Sequence, residues 1–374
     1  AADILGIGQD SLIPVPVRDD YRMDVSALET IIDGLIAERT PILAVMAVAG
    51  TTEEGAVDEI HEIVRLRKRY AARGVSFYLH IDAAYGGYAR ALFLDGEDRF
   101  MDFAELTGSP EGRGAGDRND RWLTREVYEA FKAMPDADSI TVDPHKLGYV
   151  PYAAGAVVAR DRRIIELISY FAAYVFEKSD DNPMLLGSYI MEGSKAGAAV
   201  AAVWMAHKVV PLNRDGYGRI IGDSIKGAYR FYRSLLKDAP LEVAGRRFEA
   251  VPLARPDINI VDYVFHEIGK GSLEAMNRLN EAIYERCSYK SGPLYSNDFL
   301  LSKTSLTGEE YGDTPRAFAA HAGIAAGEWE RLQSVYILRS CILTPYLTSH
   351  TTYEIYWENF MRAMERVIGR IYRR

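Results

Sequence analysis

Residues 143–152 read DPHKLGYVPY, with Lys146 set behind a histidine and a proline in an otherwise largely apolar stretch. Stripping water from an ammonium is costly unless a countercharge or a chemical role compensates. A neutral lysine amine attacks carbonyl carbon, and partial burial beside other cations is what depresses its pKa enough to do so. Two further corners carry groups that complement it. HIDAAYGG (80–87) puts Asp82 ahead of two alanines and a glycine pair, which leaves a flat slot beside a fixed negative charge. AGTTEEGAVD (49–58) offers the small hydroxyls of Thr51 and Thr52. A pyridine ring with a protonated nitrogen fits such a slot, and a Schiff-base lysine with an acidic partner for that nitrogen is the combination pyridoxal phosphate (PLP) chemistry needs. Each residue alone has a plainer reading: Lys146 as a solvated loop residue, Asp82 as a helix cap, the threonines as turn hydroxyls.

The elements around these corners explain how they could meet. Residues 41–49 (PILAVMAVA) form a near-continuous apolar run, as in a strand buried on both faces. Residues 58–73 carry Ile60, Ile63, Val64 and Leu66 at helical spacing, with Gly74 as a stop. Strands are expected at 75–82, 138–143 and 154–159, and a helix at 124–134. This alternation implies a mostly parallel sheet flanked by helices, in which ligands gather at the carboxyl ends of strands. All three chemical corners end such strands. The stretch 107–121, rich in Gly and charge, reads as an exposed, mobile insertion. Residues 196–206 (AGAAVAAVWMA) are small and apolar enough for a tightly packed buried helix. After a long helix around 214–237 the pattern changes to strands at 248–253 and 257–265, a helix at 271–286, a strand near 335–343 and a final helix near 352–372. That is a separate, smaller α+β domain.

Composition narrows the class. The 374 residues are 48% apolar, enough for a large core, and 44 Lys plus Arg stand against 53 Asp plus Glu for a net charge of −9. That balance argues against nucleic acid or an anionic membrane as partner. Two cysteines, Cys287 and Cys341, make no disulfide framework and suit a reducing cytoplasm. No apolar run reaches the ~18 residues of a membrane span. The chain opens on Ala1 without a basic leader, so it reads as processed or as a fragment rather than as carrying a signal peptide.

HIDAAYGG followed by DPHKLGYVPY resembles the group II PLP-dependent amino-acid decarboxylases of fold type I. The resemblance runs nearly the whole chain. GIGQDSLIPVPV, YRMD, TPILAVMAVAGTTEEGAVDEI, SYFAAYVFEK, GSKAG, VDYVF and LRSCILTPY are similar in particular to bacterial tyrosine decarboxylases. It implies an α/β, transferase-like fold in which residues 1–240 are the remainder of the large PLP-binding domain and 241–374 a C-terminal small domain. The implied activity is decarboxylation of L-tyrosine, with L-dopa as a further candidate substrate, by a cytoplasmic homodimer with shared active sites. Aspartate or glutamate as substrate, a lyase or aldehyde-forming enzyme on the same fold, and a non-catalytic assembly partner are the alternatives.

Residue by residue, the resemblance implies that Lys146 carries the cofactor, Asp82 pairs with the ring nitrogen, Ala84 packs on a ring face and Thr52 lies near the ring oxygen. His145 is similar to a residue that contacts the phosphate. Tyr174 matches a mobile-loop tyrosine that reaches the partner subunit's site and returns a proton after CO₂ leaves, with Tyr152 and His145 as further candidates. The alternative for Tyr174 is an aromatic stripe with Tyr170 and Phe171 packed in a core. Tyr152 and Ser340 sit where tyrosine decarboxylases have substrate-pocket residues. Arg339 either binds the substrate carboxylate or is a paired structural residue. No metal is implied. A dimer-forming arm, a Gly/Ser/Thr phosphate-binding stretch and a ring-stacking histidine, which the family carries upstream, are missing before Ala1, and a separately supplied segment could provide them.

Overall fold

The computed structural model describes residues 2–107, 122–168, 190, 195–237 and 240–372. Most of the Gly-rich stretch 107–121, and Tyr174 with the segment 177–183, lie outside the described residues. The first half of the chain runs α1 (Val25–Ala37), β1 (Ala44–Val48), α2 (Ile60–Ala71), β2 (Tyr78–Asp82), a 3-10 helix (Gly86–Phe93), α3 (Phe103–Thr107), α4 (Arg125–Ala133), β3 (Ser139–Val142), β4 (Ala156–Ala159), α5 (Arg163–Ile168), α6 (Gly197–Val209) and α7 (Tyr217–Lys237). The second half runs β5 (Leu241–Val243), β6 (Arg246–Pro252), β7 (Ile260–Glu267), α8 (Leu273–Arg286), β8 (Ser302–Thr307), α9 (Gly308–Tyr311), α10 (Thr314–His321), α11 (Ala326–Leu332), β9 (Ser334–Cys341) and α12 (His350–Tyr372).

Local chemistry sets these boundaries. Asp24 caps α1 by accepting from the Ser26 and Ala27 N–H groups, Thr124 caps α4 through Val127, and Ser272 caps α8 through Ala275. In α2 the stripe Ile60, Ile63, Val64, Leu66 and Tyr70 is buried while Arg65, Lys68 and Arg69 face out. Strands β1, β2 and β3 pair in parallel, and β4 closes the sheet antiparallel to β3, in the order β1-β2-β3-β4. The second sheet, β5-β6-β7-β9-β8, is antiparallel throughout. Its central strand β7 sends Tyr263 and Phe265 into a core with Phe231 of α7 and Phe360 of α12, and Val264 into a second core with Ile337 and Trp329.

Two expectations fail for related reasons. β1 is buried on alternate residues only, with Val45 and Ala47 inside and Met46 51% exposed. α6 contributes no buried residue, and Val200, Trp204 and Val209 are exposed. Apolarity states that a surface prefers cover but not what covers it, and no described residue covers these faces.

Buried charge stitches the two sheets together. Arg22 forms a bidentate pair with Asp257, just before β7, and the same carboxylate accepts from the Val57 N–H at 2.9 Å. Asp58 is buried and accepts from the Met23 and Val48 N–H groups, each at 2.7 Å. Breaking such a pair from one side costs about 3–5 kcal/mol, because the remaining charge stays buried without its partner.

Asp262 is the exception to this pairing. It lies opposite Arg339 on neighbouring strands and is fully buried, yet neither carboxylate oxygen has a hydrogen-bond partner among the described residues. Arg339 instead donates to the Glu53 carbonyl at 2.9 Å and to Ser302 Oγ at 3.1 Å. Burial pushes the Asp262 carboxyl well above its ordinary value, with the Arg339 charge opposing. The folded state therefore keeps a proton that the unfolded chain has already lost. Stability is full below the ordinary carboxylate range and falls as pH rises through the elevated value. Asp262→Asn keeps the shape and removes the charge, so it should stabilise the fold by about 1–3 kcal/mol at neutral pH. It should also flatten the decline that sets in above the ordinary carboxylate range. Thermal unfolding as a function of pH reads both effects, and a variant that melts earlier than wild type at every pH contradicts the assignment.

Candidate active site

Parallel pairing puts the carboxyl ends of β1, β2 and β3 on one edge, and the register aligns Val48 with Asp82 and Asp82 with Thr141. The three loops that follow are tied to one another by backbone hydrogen bonds. Ala49 donates to the Asp82 carbonyl at 2.8 Å, Gly86 to Ala49 at 3.0 Å, and Asp143 to Ala84 at 3.1 Å. A side chain on Gly86 would overlap the Ala49 carbonyl oxygen, and one on Gly87 would meet Val142. The glycine pair thus permits close approach of the first two loops rather than a special backbone angle.

Asp82 Oδ1 accepts from the Ala84 N–H at 3.0 Å, and the other oxygen has no hydrogen-bond partner among the described residues. Two positions back on the same face of β2, His80 is held by Ser139 Oγ at 2.7 Å on Nδ1 and by Thr141 Oγ1 at 3.1 Å on Nε2. Burial lowers the His80 pKa, with the Asp82 charge opposing. Residue-by-residue reading passed over His80, although the alternation of His80 and Asp82 opposite Ser139 and Thr141 was a usable signal.

Lys146 is 35% exposed at its side chain, and its Nζ lies 3.1 Å from Asp143 Oδ2. The compensation that its setting demanded is thus a carboxylate three residues earlier, in the same DPHK turn. His145 Nδ1 lies 2.6 Å from the Ala154 carbonyl, an acceptor only, so Nδ1 carries the hydrogen. Its ring stacks on Tyr152, which is 84% exposed, at 4.3 Å between centroids. From α7, buried Tyr217 donates to the Gly148 carbonyl at 2.7 Å and so holds the turn after Lys146. The two threonines divide their work. Thr51 donates to Glu54 and accepts from the Ala56 N–H, whereas Thr52 is exposed.

A carboxylate with one unengaged oxygen, a half-buried alanine beside it, an exposed hydroxyl and a reachable amine therefore share one sheet edge. Residues 227–368 match the family described as tyrosine decarboxylase, C-terminal, and residues 1–100 match the pyridoxal-dependent decarboxylase conserved domain. The L-tyrosine decarboxylase of Levilactobacillus brevis is 49% identical over 372 residues, which is 100% of this chain and 59% of that protein. The L-tyrosine decarboxylase of Enterococcus faecalis is 46% identical over the same length, covering 60% of that protein. The chain belongs to the pyridoxal-dependent decarboxylase family. It spans about three-fifths of the length of these relatives. Among solved structures, Oryza sativa TDC with PLP and tryptamine superposes with a TM-score of 0.65 over 98% of this chain and 60% of its own, at 15% identity. That likeness establishes the fold-type I architecture.

Neighbours on β9 point to opposite faces, and this separates two residues expected in one pocket. Arg339 reaches the loop after β1, where it holds Glu53. Ser340 points the other way, 8% exposed, with its hydroxyl 3.1 Å from that of Tyr263 inside the C-terminal core. Ser340 is therefore not brought beside Lys146. Its neighbour Cys341, on the Arg339 face, contacts Tyr85 at 2.9 Å. Among the described residues no cluster suits a metal ion, and no helix is long and apolar enough to cross a membrane.

Gly86→Ala tests the convergence of the loops directly. The added methyl meets backbone that has no rotamer with which to yield, so the variant should lose about 1–3 kcal/mol of stability. Gly96→Ala, where a side chain meets nothing within 4 Å, is the control and should change little. Denaturant unfolding of the two variants side by side provides the comparison, and equal effects would contradict the packing role.

Proposed function

We propose that the chain is the larger part of a PLP-dependent carboxy-lyase that converts L-tyrosine to tyramine and CO₂, with L-dopa as a second substrate. The observation that carries the reading is the convergence of Lys146, Asp82 and Thr52 on one edge of a parallel sheet, in a chain nearly half identical to proteins named L-tyrosine decarboxylase. Residues 1–240 would belong to the cofactor-binding domain and 241–374 to a small domain. The active assembly would be a homodimer with shared sites, completed by the part of the relatives that this chain does not span. Free Cys287 and Cys341 fit a cytoplasmic setting.

The donor set suits the cofactor. When bound, PLP supplies an electron sink for the bonding pair left as CO₂ departs. Lys146 would hold it covalently through Nζ, with Asp143 balancing the amine's charge while it is protonated. The unengaged oxygen of Asp82 would keep a proton on the ring nitrogen, since a neighbouring anion favours the charged form. Ala84 would bound one ring face, Thr52 would meet the ring oxygen, and His145 would face the phosphate. Tyr152, stacked on His145 and open to solvent, would meet substrate. Arg339 is already engaged with Glu53 and Ser302, so a carboxylate would have to share its guanidinium. Tyr174, outside the described residues, would give its phenolic proton to the former α-carbon.

A panel of L-amino acids offered to the full-length protein with PLP should yield amine and CO₂ fastest from tyrosine. Faster turnover of aspartate or glutamate would overturn the specificity and leave the chemistry standing. Aldehyde and ammonia as products would overturn the reaction type. Asp82→Asn should lower turnover by orders of magnitude, at about 1.4 kcal/mol per tenfold, while the fold is kept. A variant within a fewfold of wild type would assign Asp82 a structural role only.

A further inference from the structure

The turn Asp82–Tyr85 is fastened to the first sheet on both sides, through Ala83 to Thr141, Ala84 to Asp143 and Gly86 to Ala49. Its remaining tie crosses to the other half of the molecule. The Tyr85 hydroxyl lies 2.8 Å from Asn259 Oδ1 and 2.9 Å from Cys341 Sγ. Asn259 Oδ1 can only accept, so the single phenolic proton goes there, and the Cys341 thiol donates to the phenol oxygen. Asn259 is fully buried and immobile: its side-chain amide donates to the Ile342 carbonyl at 3.0 Å, and its backbone carbonyl accepts from the Ile342 N–H at 2.8 Å. Asn259 immediately precedes Ile260, which pairs with Cys341 across β7 and β9, two adjacent interior strands of the C-terminal sheet. Two residues before Cys341, on the same face of β9, is Arg339.

We propose that Tyr85 is a positioning residue, a clasp that fixes the cofactor-facing turn of Asp82 and Ala84 to the strand bearing Arg339, so that cofactor wall and candidate substrate anchor keep one spacing. This rests on the function proposed above, and the family resemblance gives Tyr85 no role. The phenol stays protonated, because burial raises its pKa. Burial likewise keeps the Cys341 thiol protonated. Both groups are therefore in the donor states that the clasp needs. Replacing the hydroxyl leaves the buried Asn259 oxygen without a donor, so the loss falls on the turn rather than on either core.

The test compares Tyr85→Phe, Cys341→Ala and Cys341→Ser with wild type in the full-length protein. Three quantities are read: the PLP dissociation constant by absorbance titration, the exchange rates of the Ala84 and Asp143 amides without PLP, and the split between KM and kcat. Tyr85→Phe should weaken PLP binding by roughly tenfold or more, because the turn that carries Asp82 and Ala84 loses its tie to the buried Asn259 acceptor. It should speed exchange at both amides and raise KM along with lowering kcat. Cys341→Ala should do the same more weakly, and Cys341→Ser, which restores a donor, should return toward wild type. If Tyr85→Phe fails to fold, the two cysteine variants decide the matter by the same readouts. Wild-type PLP affinity with unchanged amide exchange in Tyr85→Phe and Cys341→Ala overturns the clasp. So does a fall in affinity matched by a uniform loss of global stability. Failure of wild type to bind PLP would overturn the proposed function instead, while faster Ala84 exchange in Tyr85→Phe would still support the clasp.

Discussion

Parallel pairing of β1, β2 and β3 is the constraint on which the rest of the structure depends. Only parallel strands bring three successive carboxyl ends to one edge, and the register Val48–Asp82–Thr141 sets the loops carrying Thr52, Ala84 and Lys146 at one level. The loops then approach so closely that Gly86 has no room for a side chain against Ala49. Chemistry at this edge follows from backbone geometry. The side chains occupy positions that the sheet has already fixed.

A second layer of order comes from polar groups placed where water is excluded. The Arg22–Asp257 pair and the Asn259 amide each join segments far apart in sequence, and each is satisfied by at least two partners. They fix how the second sheet meets the loops of the first, which burial of apolar surface alone would leave loosely specified. Asp262 departs from this pattern, since its neighbour Arg339 is drawn away to Glu53 and Ser302. Burial raises its carboxyl pKa, and the Arg339 charge opposes that shift only in part.

Much of this was legible in the sequence. The strands ending at Asp82 and before DPHK, the α2 stripe and the long helices near the two ends fall within a few residues of where periodicity puts them. Short elements were not legible: β5 and β8 are three and six residues long and carry no strong alternation. The exposed side of β1 and the uncovered α6 escaped because composition records a preference for cover and not its presence. Ser340, which the resemblance puts in the substrate pocket, has its hydroxyl against Tyr263, on the strand face opposite Arg339. Tyr85 carries a role that depends on a contact 256 residues away in sequence, and no local pattern reports that.

The central claim is that Lys146, at the end of β3, is where the cofactor is held. Borohydride reduction of the full-length protein in the presence of PLP, followed by peptide mapping, tests it most directly. The account predicts a single stable pyridoxyl label on the peptide containing DPHK, at Lys146, and loss of that label in Lys146→Ala. A label at Lys195 or any other lysine, with Lys146 unmodified, would contradict it.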